Sequence, residues 1–148
     1  MTPEAVLAAV PQQEPFRFID EILELDSEHI VAAHTFDPKA DFYRGHFPGK
    51  PITPGVILIE AMAQAGVVAL GIHLLQEKVG AEESAKYTTL FSDAEVEFSG
   101  VVDPGTRVIT TGRVVFFRRM KLRASVEMKR EDGTLVCSGT LSGMGVPK

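Results

Sequence analysis

The sequence predicts an α+β fold in which an antiparallel sheet wraps around one long helix. Three observations support this prediction. The run from Ile57 to Leu70 is almost wholly apolar, so a helix there should be covered on most sides. Two strand-like segments precede this run and four follow it. Turn signals separate the later strands, among them Asp103-Pro104-Gly105 and Asp132-Gly133.

The elements can be placed in chain order. A short helix is expected over Pro3 to Val10, with Thr2 as its N-cap. Strand patterns cover residues 18–25, 29–36, 88–98, 107–118, 121–130 and 134–144. Residues 37–54 contain four prolines and two glycines, which predict an irregular loop. The long helix should then begin with Thr53 as N-cap and Pro54 at the first position, and run to about Lys78.

Composition narrows the setting. A chain of 148 residues with 45% hydrophobic residues predicts a single domain over residues 1–148. Cys137 is the only cysteine and no cluster has zinc-ligand spacing, so neither a disulfide, a metal nor a cofactor is expected. The N-terminus lacks a signal-peptide pattern and the apolar run is short for a membrane span, so we expect a cytoplasmic protein.

The net charge of −5 gives no general attraction to nucleic acid. One local basic cluster could meet an acidic partner, and a solvated strand face is the alternative. It consists of Arg118, Arg119, Lys121 and Arg123.

Glu60 is the one carboxylate in the apolar run, and Gln64 lies four residues later on the same helix face. A buried charge is costly unless it is paired or neutralised. Glu60 therefore either meets a satisfying partner or solvent at a subunit seam, or it has a chemical role. An apolar setting favours a protonated carboxyl, which is the state that a general acid needs.

His46 is the natural candidate for a base, because two glycines and a proline shape the backbone around it in Gly45-His46-Phe47-Pro48-Gly49. A loop histidine bonded to backbone is the alternative. The other three histidines, His29, His34 and His73, are expected to be structural or solvated.

The start of the long helix supplies a third element. The amides of Gly55 and Val56 are expected to be free at the positive end of the helix dipole, where they could polarise a carbonyl. Simple helix capping is the alternative. A base, an acid and carbonyl-binding amides together form the set needed to remove a proton beside a carbonyl and expel a hydroxyl from the next carbon.

Residues 45–64, GHFPGKPITPGVILIEAMAQ, resemble the signature of the bacterial (3R)-hydroxyacyl-acyl-carrier-protein dehydratases of fatty-acid synthesis, which have the hot-dog fold. The resemblance extends more weakly over most of the chain. It implies that His46 is the general base, Glu60 the general acid, Gly55 the amide that binds the thioester carbonyl, and Gln64 a supporting residue.

The resemblance also implies partners and a substrate channel. The substrate would arrive on an acyl carrier protein, and each site would take its histidine and carboxylate from different subunits. We therefore expect a homodimer with Glu60 at the seam, with a trimer of dimers left open. Phe47 and Val56 are expected to bind substrate, and Phe47, Ile59 and Met62 to line an apolar acyl tunnel.

Departures from the family pattern occur at residues 12–16 and 98–102, which leave chain-length preference and pathway open. Four alternatives remain. A dehydratase that also isomerises the double bond carries Asp at the position of Glu60. An (R)-specific enoyl hydratase shares the offset of Asp41 and His46 but not the residues between them. An acyl thioesterase has no need for the His46 turn, and a non-catalytic acyl-binding subunit has no need for the whole set.

Overall fold

The computed structural model describes residues 2–148 and contains one six-stranded antiparallel sheet. Its strands are β1 (Glu21–Leu25), β2 (His29–Thr35), β3 (Tyr87–Phe98), β4 (Arg107–Arg118), β5 (Lys121–Arg130) and β6 (Leu135–Pro147). They lie in the order β1-β2-β4-β5-β6-β3. The helices are α1 (Pro3–Ala9), the long α2 (Gly55–Val79) and α3 (Ala81–Ser84). The predicted α+β architecture is confirmed.

Helix α2 forms the centre of the core. It is α-helical except for a π-helical turn over Gln64–Ala69, and every residue from 61 to 70 is buried. The helix and the sheet approach each other closely at two glycines. A Cβ added to Gly112 of β4 would lie 2.9 Å from the Cα of Gly66, so a side chain there would push the helix off the sheet.

The length argument against a membrane span is wrong, because α2 has 25 residues and its most apolar window has a mean hydropathy of 1.9. By length and composition alone such a helix could cross a bilayer. However, 61% of that window is buried inside the fold. The apolar character of α2 is therefore accounted for by its place in the core.

The N-cap prediction for α2 is off by one residue. The cap is Pro54, which has no side-chain hydrogen bond to offer, and the helix begins at Gly55. The hydroxyl of Thr53 pairs instead with the Tyr43 hydroxyl at 2.6 Å, and its backbone N–H donates to the Val102 carbonyl at 2.9 Å. Because Thr53 is turned toward Tyr43, the first amides of α2 are left without a cap.

Strand β1 begins at Glu21 rather than at Phe18, since the backbone N–H of Phe18 donates to the side chain of Gln64 on α2. At the other end of the sheet β6 extends to Pro147. The two edges differ. Strand β1 is short, with α1 packed beside it, whereas β3 has twelve residues that are mostly exposed.

Candidate active site

The loop that carries His46 is held by its own backbone. A 3₁₀ turn over Asp41–Arg44 precedes it, and the His46 N–H donates to the Phe42 carbonyl at 3.1 Å. Phe47 and Lys50 exchange backbone hydrogen bonds of 3.1 and 2.9 Å, and the peptide bond between His46 and Phe47 is cis. Gly49 has a φ of +74°, a conformation that favours glycine, and the loop presents a half-buried imidazole.

One hydrogen bond fixes the protonation pattern of that imidazole. Nδ1 of His46 lies 2.9 Å from the carbonyl oxygen of Ile52. A carbonyl can only accept, so Nδ1 carries the hydrogen and Nε2 of the neutral ring carries a free lone pair. The ring of Phe47 stacks on the imidazole at a centroid distance of 4.0 Å. His46 is therefore oriented as a base with one available nitrogen.

Glu60 and Gln64 share a face of α2, as their spacing predicts. Nε2 of Gln64 donates to Oε2 of Glu60 at 2.8 Å and to the Phe16 carbonyl at 2.9 Å, while its Oε1 accepts the Phe18 N–H at 2.7 Å. Gln64 has no exposed surface, and Glu60 is half-buried. The carboxyl is thus anchored through one oxygen, and Oε1 has no hydrogen-bond partner within residues 2–148.

The start of α2 has the free amides that the sequence predicts. Between residues 2 and 148 no acceptor bonds the N–H of Gly55 or of Val56. Such amides lie at the positive end of the helix dipole and suit a carbonyl oxygen that gains negative charge. A Cβ on Gly55 would lie 3.1 Å from the ring of Phe98, so this approach is narrow.

The predicted substrate contacts fall into two groups. Phe47 and Val56 are 50% and 74% exposed, so both are accessible to a ligand or to another chain, and Ile59 is half-buried. The tunnel assignment of Met62 is wrong for this structure. Its side chain is completely buried and its sulfur lies 3.7 Å from that of Cys137, so it is a core residue.

Within one chain His46 and Glu60 do not bond to each other. His46 bonds to Ile52 and Glu60 bonds to Gln64, and no hydrogen bond or ion pair joins them in the part of the chain that the structure describes. Each side chain is oriented by a neighbour on its own segment, His46 on the loop and Glu60 on α2.

The sequence prediction missed the supports of Gln64. They are the backbone of Phe16 and Phe18, and beyond them a pair formed by Asp20 and His34, whose Oδ1 and Nδ1 lie 2.9 Å apart. A signal for the pair was present. A symmetric hairpin centred on the predicted turn places residue 20 beside residue 34, and the observed pairing of Glu21 with Ala33 has this register.

The basic cluster is partly neutralised within the fold. Lys121 and Arg123 lie 3.5 and 3.6 Å from the carboxylate of Asp93, and Arg118 stacks over the ring of Phe116. Arg119 is exposed in the β4–β5 turn. As to metals, no group of three or more His, Cys, Asp or Glu side chains in the described residues could hold an ion.

Sequence comparisons identify similar proteins over nearly the whole chain. A family model described as a FabA-like domain matches residues 10–141. The 3-hydroxyacyl-[acyl-carrier-protein] dehydratase FabZ of Streptococcus pyogenes serotype M3 is 35% identical over 139 residues, which cover 93% of each chain. The FabZ of serotype M1 has the same identity and coverage.

Comparison with solved structures identifies proteins of the same fold. The dehydratase heterocomplex ApeI:P from Xenorhabdus doucetiae superposes with a TM-score of 0.76 at 16% identity, covering 100% of this chain and 93% of that one. The thioesterase HI1161 from Haemophilus influenzae gives 0.69 at 16% identity, covering 99% and 92%. At this identity the likeness shows the shared hot-dog fold and nothing about the reaction.

Proposed function

Since this chain belongs to the FabA-like family and is a hydro-lyase that dehydrates 3-hydroxyacyl thioesters in fatty-acid synthesis, we propose that His46 and Glu60 carry its two proton transfers. One observation supports this assignment above the others. Each side chain is anchored through one atom and leaves the other free, Nε2 in His46 and Oε1 in Glu60. A lone pair and a carboxyl oxygen are what removal of a proton and departure of a hydroxyl require.

The base acts first on the carbon beside the thioester carbonyl. Nε2 of His46 takes the C2 proton, and the Nδ1–H bond to the Ile52 carbonyl stabilises the imidazolium that forms. The free amides of Gly55 and Val56 bind the thioester oxygen, where negative charge develops. Both effects lower the barrier to breaking the C2–H bond.

The acid completes the elimination. The electron pair of the C2–H bond forms the C2–C3 double bond as the C3–O bond breaks, and protonated Glu60 donates to the leaving hydroxyl. Water and a trans-2-enoyl thioester are the products. The enzyme ends with a protonated His46 and an ionised Glu60, so proton return through solvent restores it for the next turnover.

We further propose that the complete site forms between two copies of this chain, paired through β3. This edge strand exposes Leu90, Phe91 and Phe98, and an uncovered edge of twelve residues is a template for another strand. A two-fold axis would pair the two β3 strands antiparallel and extend the sheet across both chains.

The substrate carrier belongs to the same proposal. The FabZ relatives are named for acyl-carrier-protein substrates, and we propose that this chain takes its acyl group from an acidic carrier in the cytoplasm. Arg118 and Arg119 are the members of the basic cluster with no salt bridge to another described residue. Charge reversal at both should raise KM for carrier-linked substrate and leave the KM for a pantetheine thioester unchanged.

The first test follows enoyl absorbance during interconversion of 3-hydroxyacyl and trans-2-enoyl thioesters. Wild type should catalyse it in both directions, and His46→Ala and Glu60→Gln should not. Near-normal turnover by Glu60→Gln would overturn the role of Glu60, since glutamine keeps the shape but has no proton to give. Release of free thiol in place of the enoyl product would indicate a thioesterase.

Mixing the two inactive variants tests the shared site. If each site takes His46 from one chain and Glu60 from the other, a mixed dimer contains one intact site. Exchange between subunits should then restore about a quarter of wild-type activity. If both residues of a site come from the same chain, the mixture stays inactive.

A further inference from the structure

Asp20 and His34 lie at the end of a chain of contacts that leads to Glu60. We propose that this pair is a positioning device for Glu60, acting through the Phe16–Phe18 segment and Gln64. The proposal rests on the proposed role of Glu60 as the acid. Neither Asp20 nor His34 reaches the reacting groups, so both are positioning residues rather than catalytic ones.

The first step in this series of contacts is a set of hydrogen bonds between Asp20 and β2. Oδ1 of Asp20 accepts from Nδ1 of His34 at 2.9 Å, and Oδ2 accepts the backbone N–H of Thr35 at 2.7 Å. The Asp20 N–H donates to the Ala33 carbonyl at 2.8 Å. Both carboxylate oxygens and the amide of Asp20 are therefore engaged by consecutive residues of β2, which fixes the segment that precedes β1.

The second step passes from His34 to the aromatic core. The imidazole contacts the ring of Phe18 edge to face at 5.6 Å and the ring of Phe36 at 4.7 Å. Phe18 and Phe36 are 6% and 1% exposed, so both rings are confined. Holding His34 against these rings holds Phe18, and with it the backbone of residues 16–18.

The third step reaches the carboxyl. The Phe18 N–H can only donate and the Phe16 carbonyl can only accept, so the Gln64 amide has one possible orientation, with Nε2 directed at Glu60. Oε2 of Glu60 then accepts a hydrogen bond, and the carbonyl oxygen of a protonated carboxyl accepts better than its hydroxyl oxygen does. The proton of the acid is placed on Oε1, the oxygen left free for the substrate.

Loss of the Asp20–His34 contact should loosen residues 16–18 and let the Gln64 amide turn. The proton of Glu60 would then distribute over both oxygens. This change affects proton delivery and not substrate affinity, so kcat should fall while KM changes little.

The β1–β2 hairpin supplies a matched control. At its turn, Oδ1 of Asp26 lies 2.9 Å from Nδ1 of His29 and accepts two backbone N–H groups, but this pair has no path to Gln64. We expect Asp20→Ala to lower kcat about tenfold and Asp26→Ala to change it by less than about twofold. Asp20→Asn should keep most of kcat, because its oxygen can accept the Thr35 N–H while its NH2 donates to Nδ1 of the other His34 tautomer. Equal effects of the two alanine variants would overturn the proposal.

A double-mutant cycle makes the test independent of the chemistry. In a Gln64→Leu background Asp20→Ala should lower kcat almost no further and should cost less resistance to urea than it does alone, whereas additive effects in both would overturn the positioning role. Glu60→Gln is measured in parallel. Full activity of Glu60→Gln, with energetic coupling between Asp20 and Gln64 still present in the urea data, would refute the acid role of Glu60. The structural link from the Asp20–His34 pair to Gln64 would remain supported.

Discussion

His46 lies on an irregular loop and is held by one hydrogen bond from its side chain, whereas Glu60 lies on the core helix and is held through a buried glutamine that makes three. The loop can leave Nε2 of His46 unbonded because the half-buried imidazole is reached by solvent. The helix cannot leave a carboxyl alone among apolar neighbours, so it supplies Gln64. The comparison implies that changes on the loop alter chemistry alone, while changes on the helix face alter chemistry and stability together.

The largest effect should come from His46→Ala. We expect turnover to fall by about a thousandfold, the usual scale for loss of a general base, and the free energy of unfolding to change by less than about 1 kcal/mol. The half-buried imidazole has one bond to lose, and the loop backbone holds itself. Steady-state kinetics and urea unfolding measure the two quantities.

Lys50→Ala is the control on the same loop, since its side chain is exposed and no described residue forms a salt bridge with it. It should leave both quantities unchanged with a pantetheine substrate. A large stability loss in His46→Ala would contradict this difference between loop and helix, because the loop would then depend on its histidine as the helix depends on Gln64.

Gln64→Leu should reduce both quantities. The substitution leaves the Phe18 N–H and the Phe16 carbonyl without their partner, at a cost of about 3 kcal/mol in stability. Turnover should fall by one to two orders of magnitude, because Glu60 loses its only anchor. Urea unfolding and enoyl absorbance provide the measurements.

Gln76→Leu provides the matched control for Gln64→Leu on the same helix. Oε1 of Gln76 is buried and no described group bonds it, so leucine there should be neutral or stabilising and should leave turnover unchanged. If Gln64→Leu were as well tolerated as Gln76→Leu, the claim that the helix side couples stability to chemistry would fail.

A smaller effect is expected at the start of α2. Gly55→Ala places a methyl 3.1 Å from the Phe98 ring, so this side chain must move by a few tenths of an ångström and stability should fall only slightly. The methyl should still crowd a carbonyl at the Gly55 amide and lower kcat/KM several-fold.

Gly71→Ala is the control on the same helix. Its added Cβ would lie at an ordinary 3.6 Å from Leu122, so it should leave activity unchanged and stabilise the helix by about 0.5–1 kcal/mol. Unaltered kcat/KM in Gly55→Ala would argue against the carbonyl site.

The sequence was informative where local periodicity decides the outcome. The four-residue offset of Glu60 and Gln64 was enough to predict their contact, and turn signals placed β4 and β5 at their observed bounds. Contacts distant in sequence were not accessible in this way. Gln64 is bonded by residues 46 and 48 positions away, and Thr53 is diverted from its capping role by Tyr43. Met62 was assigned to a tunnel because an apolar pattern does not distinguish a cavity wall from a core.

The smallest effect concerns the β1–β2 turn, which is distant from both halves of the site. Hydrogen bonds that His29 donates to the carboxylates of Glu24 and Asp26 raise its pKa above the ordinary 6.5. The protonated ring is therefore stabilised in the folded state. This contribution is complete below pH 6.5 and is lost as the pH rises through the raised pKa. The difference in melting temperature between wild type and His29→Gln should narrow as the pH increases above 6.5.

Backbone N–H groups, chiefly that of Glu28, lower the pKa of Asp26 to about 2, so this partner of His29 stays ionised throughout. Turnover of His29→Gln should match wild type at every pH. A change in kcat would show that the turn communicates with Gln64, and the contrast between the Asp26 and Asp20 pairs would be lost.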